Sequence, residues 1–209
     1  MSNSKVNVIN KVVEQAKAQY YELMQSDYVS RRMRIDGVET RGQVEEHTRK
    51  TTTKEEYTRT ATCMDDVQVK RGSYIEISSD ENDVEYSLKG IVSSIPNRTP
   101  VDYYFTALLF NTTAQRHRRQ LVYSEDGYVI GNNPLITDDI LCFVQRVGMR
   151  ERQVDVGIDS DSVNEIITTK NWDIQKGDIL YVGSEKYKIT DVKELDDEIF
   201  WGYMTYYRE

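Results

Sequence analysis

The chain has 209 residues, 38% of them hydrophobic and 30% charged, with a formal net charge of −8. That length makes one large domain or two small ones, and so much charge against so little apolar residue suits small domains with extensive surface. The acidic balance argues against a dedicated duplex-DNA reader, which normally carries a basic domain.

Residues 5–26 predict a helix, because Ile9, Val12, Val13, Ala16, Tyr20, Leu23 and Met24 recur at helical spacing after the capping candidates Ser2 and Ser4. A short isolated helix is marginal in water, so this stripe needs a surface: its own first β-module or a neighbouring subunit. Met33 to Thr40 predicts a hairpin around Asp36-Gly37, a strong turn signal between alternating residues. Residues 39–60 contain seven threonines and many charges, too little apolar surface to fold alone. They form either a long flexible loop or an extended β-hairpin arm reaching outward, with Val44, Thr51, Thr52, Thr53 and Tyr57 as candidate intersubunit contacts.

Strands are predicted over 66–77, 86–95 and 103–110, the last apolar on both faces and so expected to be the most buried. Residues 111–118 turn polar. A middle section follows at 120–123, 127–130 and 135–136, with Glu125-Asp126-Gly127 as a hairpin turn. Residues 140–147 and 152–158 open a second module, which 163–167, 172–182, 187–192 and 199–206 close. The expected fold is mainly β: two small antiparallel β-barrel or sandwich modules in tandem, with an N-terminal α-helix and an extended polar arm. Residues 1–30 are the docking segment, 31–118 the first module and 119–209 the second.

A degenerate internal repeat underlies this division. Val67-Gln68-Val69-Lys70-Arg71-Gly72, Tyr74-Ile75-Glu76-Ile77 and Tyr86-Ser87-Leu88-Lys89-Gly90-Ile91 occur in the first half. Trp172-Asp173-Ile174-Gln175-Lys176-Gly177, Ile179-Leu180-Tyr181-Val182 and Tyr187-Lys188-Ile189-Thr190-Asp191-Val192 follow the same order in the second. The spacing pairs Gly72 with Gly177, Ile75 with Leu180, Ile77 with Val182, Tyr86 with Tyr187 and Ile91 with Val192. Either the modules are a duplication, or two unrelated hairpins share alternation and a turn glycine.

Catalytic patterns are missing: no GxGxxG follows a strand, and there is no phosphate loop, HExxH or GxSxG. Adjacent acids such as Asp65-Asp66 and Asp138-Asp139 face opposite sides of a strand. No enzyme activity, cofactor or metal is therefore expected. Cys63 and Cys142 form no CxxC and have no familiar spacing to His47 or His117, which fits synthesis in a reducing cytoplasm. No signal peptide or membrane-spanning run is present, so a soluble chain without a membrane partner is expected. Arg116-His117-Arg118-Arg119 is the one compact basic tract; Arg116, Arg118 and Arg119 are either solvated loop residues or contacts to phosphate or an acidic partner. Fifteen tyrosines against four phenylalanines favour half-buried sheet faces and protein contacts.

The order of elements resembles the small β-barrel head-to-tail connectors, the head-closure or stopper group, of tailed bacteriophages of Gram-positive hosts. The likeness runs through the N-terminal helix, Ile35-Asp36-Gly37-Val38, the polar arm, Cys63-Met64-Asp65-Asp66, and Val69-Lys70-Arg71-Gly72-Ser73-Tyr74-Ile75. It continues through Tyr86-Ser87-Leu88-Lys89-Gly90-Ile91-Val92, Tyr103-Tyr104-Phe105-Thr106-Ala107-Leu108-Leu109, the Asp126-Gly127 turn and the run from Ile174 to Val192. Where members typically show Cys-Asn after the buried strand, this chain has Asn111-Thr112. The resemblance implies a virion protein made in the host cytoplasm and placed at the head–tail junction. Copies would form a ring beneath the portal, seal the DNA channel and offer the tail a platform. Its partners would be itself, portal or adaptor and tail proteins, and packaged double-stranded DNA in the channel. A tail-completion or baseplate barrel, and a nucleic-acid-binding module of oligonucleotide-barrel type, are the alternatives.

Overall fold

The computed structural model describes residues 2–26, 28–46, 52–78, 85–148, 161–193 and 198–208. It divides into two compact units, Met1–Leu109 and Phe110–Glu209. Each contains a closed six-stranded antiparallel barrel. The first unit runs α1 (Ser2–Met24), β1 (Arg31–Ile35), β2 (Val38–Glu46), α2 (Thr53–Tyr57), β3 (Thr58–Met64), β4 (Tyr74–Ile77), β5 (Leu88–Val92), β6 (Asn97–Arg98) and β7 (Asp102–Leu109). The second runs β8 (Thr112–Tyr123), β9 (Val129–Arg146), β10 (Asn164–Thr169), β11 (Ile179–Val182), β12 (Glu185–Val192) and β13 (Ile199–Tyr206).

In the first unit, Asp36-Gly37 turns β1 into β2 with Ile35 opposite Val38. Both turn residues have positive φ, 48° and 86°, the geometry that matches the twist of the flanking strands. The Asp36 carboxylate accepts the Tyr74 N–H at 2.8 Å while the Asp36 N–H donates to the Tyr74 carbonyl at 2.9 Å, which ties this hairpin to β4. The barrel order is β3-β2-β1-β4-β5-β7, closed by β3 against β7, and the short β6 extends the sheet beside β7. Alternate residues point inward, so Met33, Ile35, Ala61, Cys63, Ile75, Ile77, Phe105, Ala107 and Leu109 make one core.

The strand expected to be apolar and buried on both faces is so only over Ala107-Leu108-Leu109: Tyr103, Phe105, Ala107 and Leu109 enter the core and Leu108 is buried on the other face, while Tyr104 is half exposed. A closed barrel has only one interior, so an aromatic on the other face of β7 meets solvent unless something outside covers it. Half of the polar stretch 39–60 is barrel wall, in β2 and the start of β3. β2 pairs with β3 from Gly42 opposite Cys63 to Glu46 opposite Arg59, and residues 47–51 of the expected arm lie outside the described residues.

The second barrel reads β10-β9-β8-β11-β12-β13, closed by β10 against β13 around Ala114, Ile140, Cys142, Ile166, Leu180, Ile189, Phe200 and Met204. Counting the ring strands of each unit in chain order, both barrels read third, second, first, fourth, fifth, sixth, then close on the third. The repeat is thus two three-stranded meanders joined twice, in both halves. Its turns coincide atom for atom. Gly72 donates to the Val92 carbonyl at 2.8 Å and Gly177 to the Ile189 carbonyl at 2.9 Å, each glycine at a positive φ that only glycine takes without strain. The Lys70 N–H donates to the Ser73 hydroxyl, and the Gln175 N–H to the Asp178 carboxylate.

This geometry keeps the pairings of Gly72, Ile75 and Ile77 with Gly177, Leu180 and Val182, but shifts the following strand. Ile75 faces Gly90 and Leu180 faces Tyr187, so Tyr187 corresponds to Gly90 rather than Tyr86, and Ile189 to Val92. The units divide after Leu109, nine residues before the expected boundary at 118, because 112–118 is strand β8 rather than a polar loop. The predicted strand at 152–158 lies outside the described residues, and the predicted middle section is the continuation of β8 and β9.

Among the described glycines of the first barrel, Gly42 leaves the least room for a side chain. A Cβ placed there would sit 2.0 Å from the Thr62 carbonyl and 2.8 Å from the Met33 methyl. Gly42→Ala is expected to lower stability by about 2–4 kcal/mol, because the neighbouring backbone cannot withdraw. Urea unfolding followed by circular dichroism checks this.

Candidate functional site

Each unit carries one element that its own barrel leaves uncovered. In the first it is α1. Its last two turns are seated on the barrel: Met24 is fully buried, Tyr20 and Tyr21 are half-buried, and Ser30 donates to the Met24 carbonyl at 2.5 Å. Lys17 pairs with the buried Asp65 at 2.7 Å, and the Tyr21 hydroxyl donates to the same carboxylate. Burial pushes the Tyr20 hydroxyl up to about 12, with the Asp102 carboxylate adding to it.

The rest of the apolar stripe is not seated. Val8, Ile9, Val12 and Leu23 are 53–61% exposed, and Ala16 is exposed with them. At 3.6 residues per turn, these five positions fall within an arc of roughly 100°, beside the arc of Val13, Lys17, Tyr20 and Met24 that faces the barrel. The helix has two adjacent apolar faces, and one is covered. Of the docking residues expected from sequence, Val13 and Tyr20 are half-buried, while Ile9, Val12, Ala16 and Leu23 are exposed.

Burial works to raise Asp65, but the Lys17 and Tyr21 hydrogen bonds and the Lys17 charge outweigh it and hold the carboxyl below its usual range. Lys17 is raised, chiefly by its hydrogen bond to Asp65. A depressed carboxyl contributes stability above its unfolded value, near 3.9, and loses it as pH falls through the lower folded value. The raised lysine contributes below about 10.4 and loses its share as pH rises through its folded value. Seating of α1 should therefore hold from about pH 4 to 10. Asp65→Asn should loosen it by about 1 kcal/mol, read as faster amide exchange over 17–24 at neutral pH.

The expected intersubunit arm is less free. Val44 and Tyr57 pack on their own core. Thr52 caps α2 by accepting the Glu55 N–H at 3.3 Å while the Glu55 carboxylate accepts the Thr52 N–H at 3.1 Å, and Thr53 is exposed beside it. Thr51 lies outside the described residues. Sequence reading missed α2, though Thr52-Thr53-Lys54-Glu55 is a capping-box signature.

In the second unit the uncovered element is a β-ribbon. β11 pairs with β8 only as far as His117, and β10 pairs with β9 only over 143–146. Among the described residues, 118–123 and 129–135 pair only with each other, from Arg118 opposite Leu135 to Tyr123 opposite Val129. Six residues at strand rise carry this ribbon about 20 Å past the barrel. Near its turn Tyr128, Val129 and Ile130 are 54–74% exposed. The register Ile35 opposite Ile75, against Arg116 opposite Leu180, puts Arg116 where the first barrel has Ile35. The ribbon thus replaces the two-residue turn Asp36-Gly37.

The basic tract anchors this departure. Arg116 is buried and donates to the carbonyls of Trp172 and Asp173, the latter at 2.6 Å. Arg118 forks onto Asp178, with Nε and Nη2 each 2.7 Å from a carboxylate oxygen, and reaches Asp173 at 3.0 Å. The Asp178 hydrogen bond is the main cause that raises Arg118; the Gln175 amide, then Arg118, lowers Asp173. Arg119 lies on the ribbon opposite Pro134. Arg116 and Arg118 therefore brace the 170–178 turn. Arg118→Ala strands a buried carboxylate and should cost the second barrel about 2–3 kcal/mol, with Arg118→Lys recovering only part. Trp172 and Trp201, the chain's two tryptophans, both belong to this unit, so fluorescence-detected unfolding reads the loss.

Among the described residues, no group of three His, Cys, Asp or Glu is placed to hold a metal, and no helix is long and apolar enough to cross a membrane. Cys63 and Cys142 are buried, and burial pushes both thiols up to about 12. No protein-family model matches the chain, and no curated protein matches it at a significant level.

Proposed function

We propose that this chain is a virion structural protein of the head–tail junction of a tailed bacteriophage. Copies form a ring below the portal, close the DNA channel and present the surface to which the tail attaches. The observation that carries this reading is the pair of barrels of one strand order, each bearing an apolar element its own core leaves uncovered. A monomer rarely keeps large contiguous apolar patches in water without a use for them. A barrel is a stiff body, and a ring of stiff bodies joined by projecting helices and ribbons holds shape under load. The function then lies in shape and contact, and the partners are further copies, the portal or adaptor, tail proteins and DNA in the channel.

The oligonucleotide-barrel reading draws no specific support: Arg116 and Arg118 are committed inside the second unit. A tail-completion or baseplate barrel would use the same surfaces, and the virion part that co-purifies tells them apart. The test is electron microscopy of the full chain, alone and co-expressed with the portal of its own genome. Rings seated on portal particles are expected. A protein that stays monomeric, ignores portal and tail proteins, and shifts single-stranded DNA in a salt-dependent way would contradict the reading.

A further inference from the structure

We propose that the ribbon tip of one copy, Tyr128-Val129-Ile130, packs end-on against the open face of α1 of the next copy where it presents Val8, Ile9, Val12 and Ala16. This rests on the ring-forming reading above and assigns the contact that makes the ring.

Three observations choose a second copy as the occupant. First, the chain presents two exposed apolar surfaces of opposite form, a convex ribbon end and an extended helix face. A contact between unlike surfaces of identical subunits is heterologous, and a heterologous contact repeats until it closes into a ring. Second, charges match. The exposed turn beside the tip carries Glu125 and Asp126, whereas α1 carries exposed Lys11 and no acid from Val8 to Val13. Third, size sets the mode of assembly. Side chains of these types expose on the order of 300–400 Å² on each side. A stable pair usually buries about 800 Å² a partner, so one such contact is weak in dilute solution. It becomes durable when closure makes the last contacts intramolecular, or when a template gathers the copies.

The ribbon also gains by it. A two-stranded hairpin alone in water is marginal, and its outer edges on 118–123 and 129–135 have no neighbouring strand among the described residues. Packing its end on a helix orders it without requiring another strand.

Thiol cross-linking of the full chain tests the contact. Cys63 and Cys142 are buried, so introduced surface cysteines are the accessible ones. Val12→Cys and Val129→Cys change exposed positions outside both cores. At high protein concentration, a mixture of the two single variants, one carrying a mass tag, should give linked dimers containing one chain of each. Neither variant alone should link. The double variant should give a ladder of multimers that fades on dilution, and Ile9→Asp or Ile130→Asp added to it should cut the ladder at least about tenfold with unchanged thermal melts. Links within Val129→Cys alone, links within Val12→Cys alone, or a dilution-independent link inside one chain would each overturn the contact. If rings sit on the portal but no mixed link forms, the contact is wrong and the functional reading stands. If mixed links form but no ring binds a portal, the contact stands and the functional reading falls.

Discussion

The whole molecule depends on the pairing of the third and sixth ring strands in each barrel. β3 runs against β7 from Thr58 opposite Leu108 to Met64 opposite Asp102, and β10 against β13 from Asn164 opposite Met204 to Thr169 opposite Ile199. Without these pairs each unit is an open six-stranded sheet with an apolar face in water and two open edges. Closure removes the edges and buries the face together, which is why a chain with 38% hydrophobic residues holds two cores. The pairing is distant in sequence, so it is slow to form and needs the other join, first strand to fourth, to bring the meanders together. In the first unit Asp36 and Tyr74 make that join. In the second, Arg116 and Arg118 reinforce the same corner by gripping the turn before β11.

That difference at one corner separates the two barrels in use. Where the first turns in two residues, the second runs on into a ribbon, and the buried guanidinium that replaces Ile35 holds the ribbon's root. The other departure is at the N-terminus, where α1 precedes the first strand and turns one apolar face away from the barrel. Burying a charge is costly, and the buried Arg116 offsets that cost by donating to two carbonyls, while the partly exposed Arg118 is held by two carboxylates. We read this as stability invested in fixing a projecting element. The barrels supply rigidity, and the projections supply contact.

Much of this was legible from residues with local causes. Helical spacing located α1, Asp36-Gly37 located a hairpin with the required positive φ values, and Gly72 and Gly177 marked equivalent turns. The tandem β-modules followed from alternation. What stayed hidden had causes distant in sequence. Residues 112–118 look like a loop, yet β9 and β11 supply both of its edges and Asp173 and Asp178 neutralise its charge. The stretch 39–60 looks free because its polar residues face out of a barrel, an arrangement that needs only alternate apolar positions. Tyr86 and Tyr187 look equivalent, but register is set by the Gly72 and Gly177 hydrogen bonds, which place Gly90 opposite the core strand instead. Which face of α1 the barrel covers depends on Asp65, far along the chain.

Amide hydrogen exchange of the full chain, dilute and in the assembled state, tests the central claim most directly. The closing pairs β3 with β7 and β10 with β13 should be protected in both states. Residues 118–123 and 129–135 of the ribbon, and 8–16 of α1, should exchange quickly when dilute and become protected on assembly. Protection of these segments already complete in the dilute chain, or unchanged in the assembly, would contradict the account.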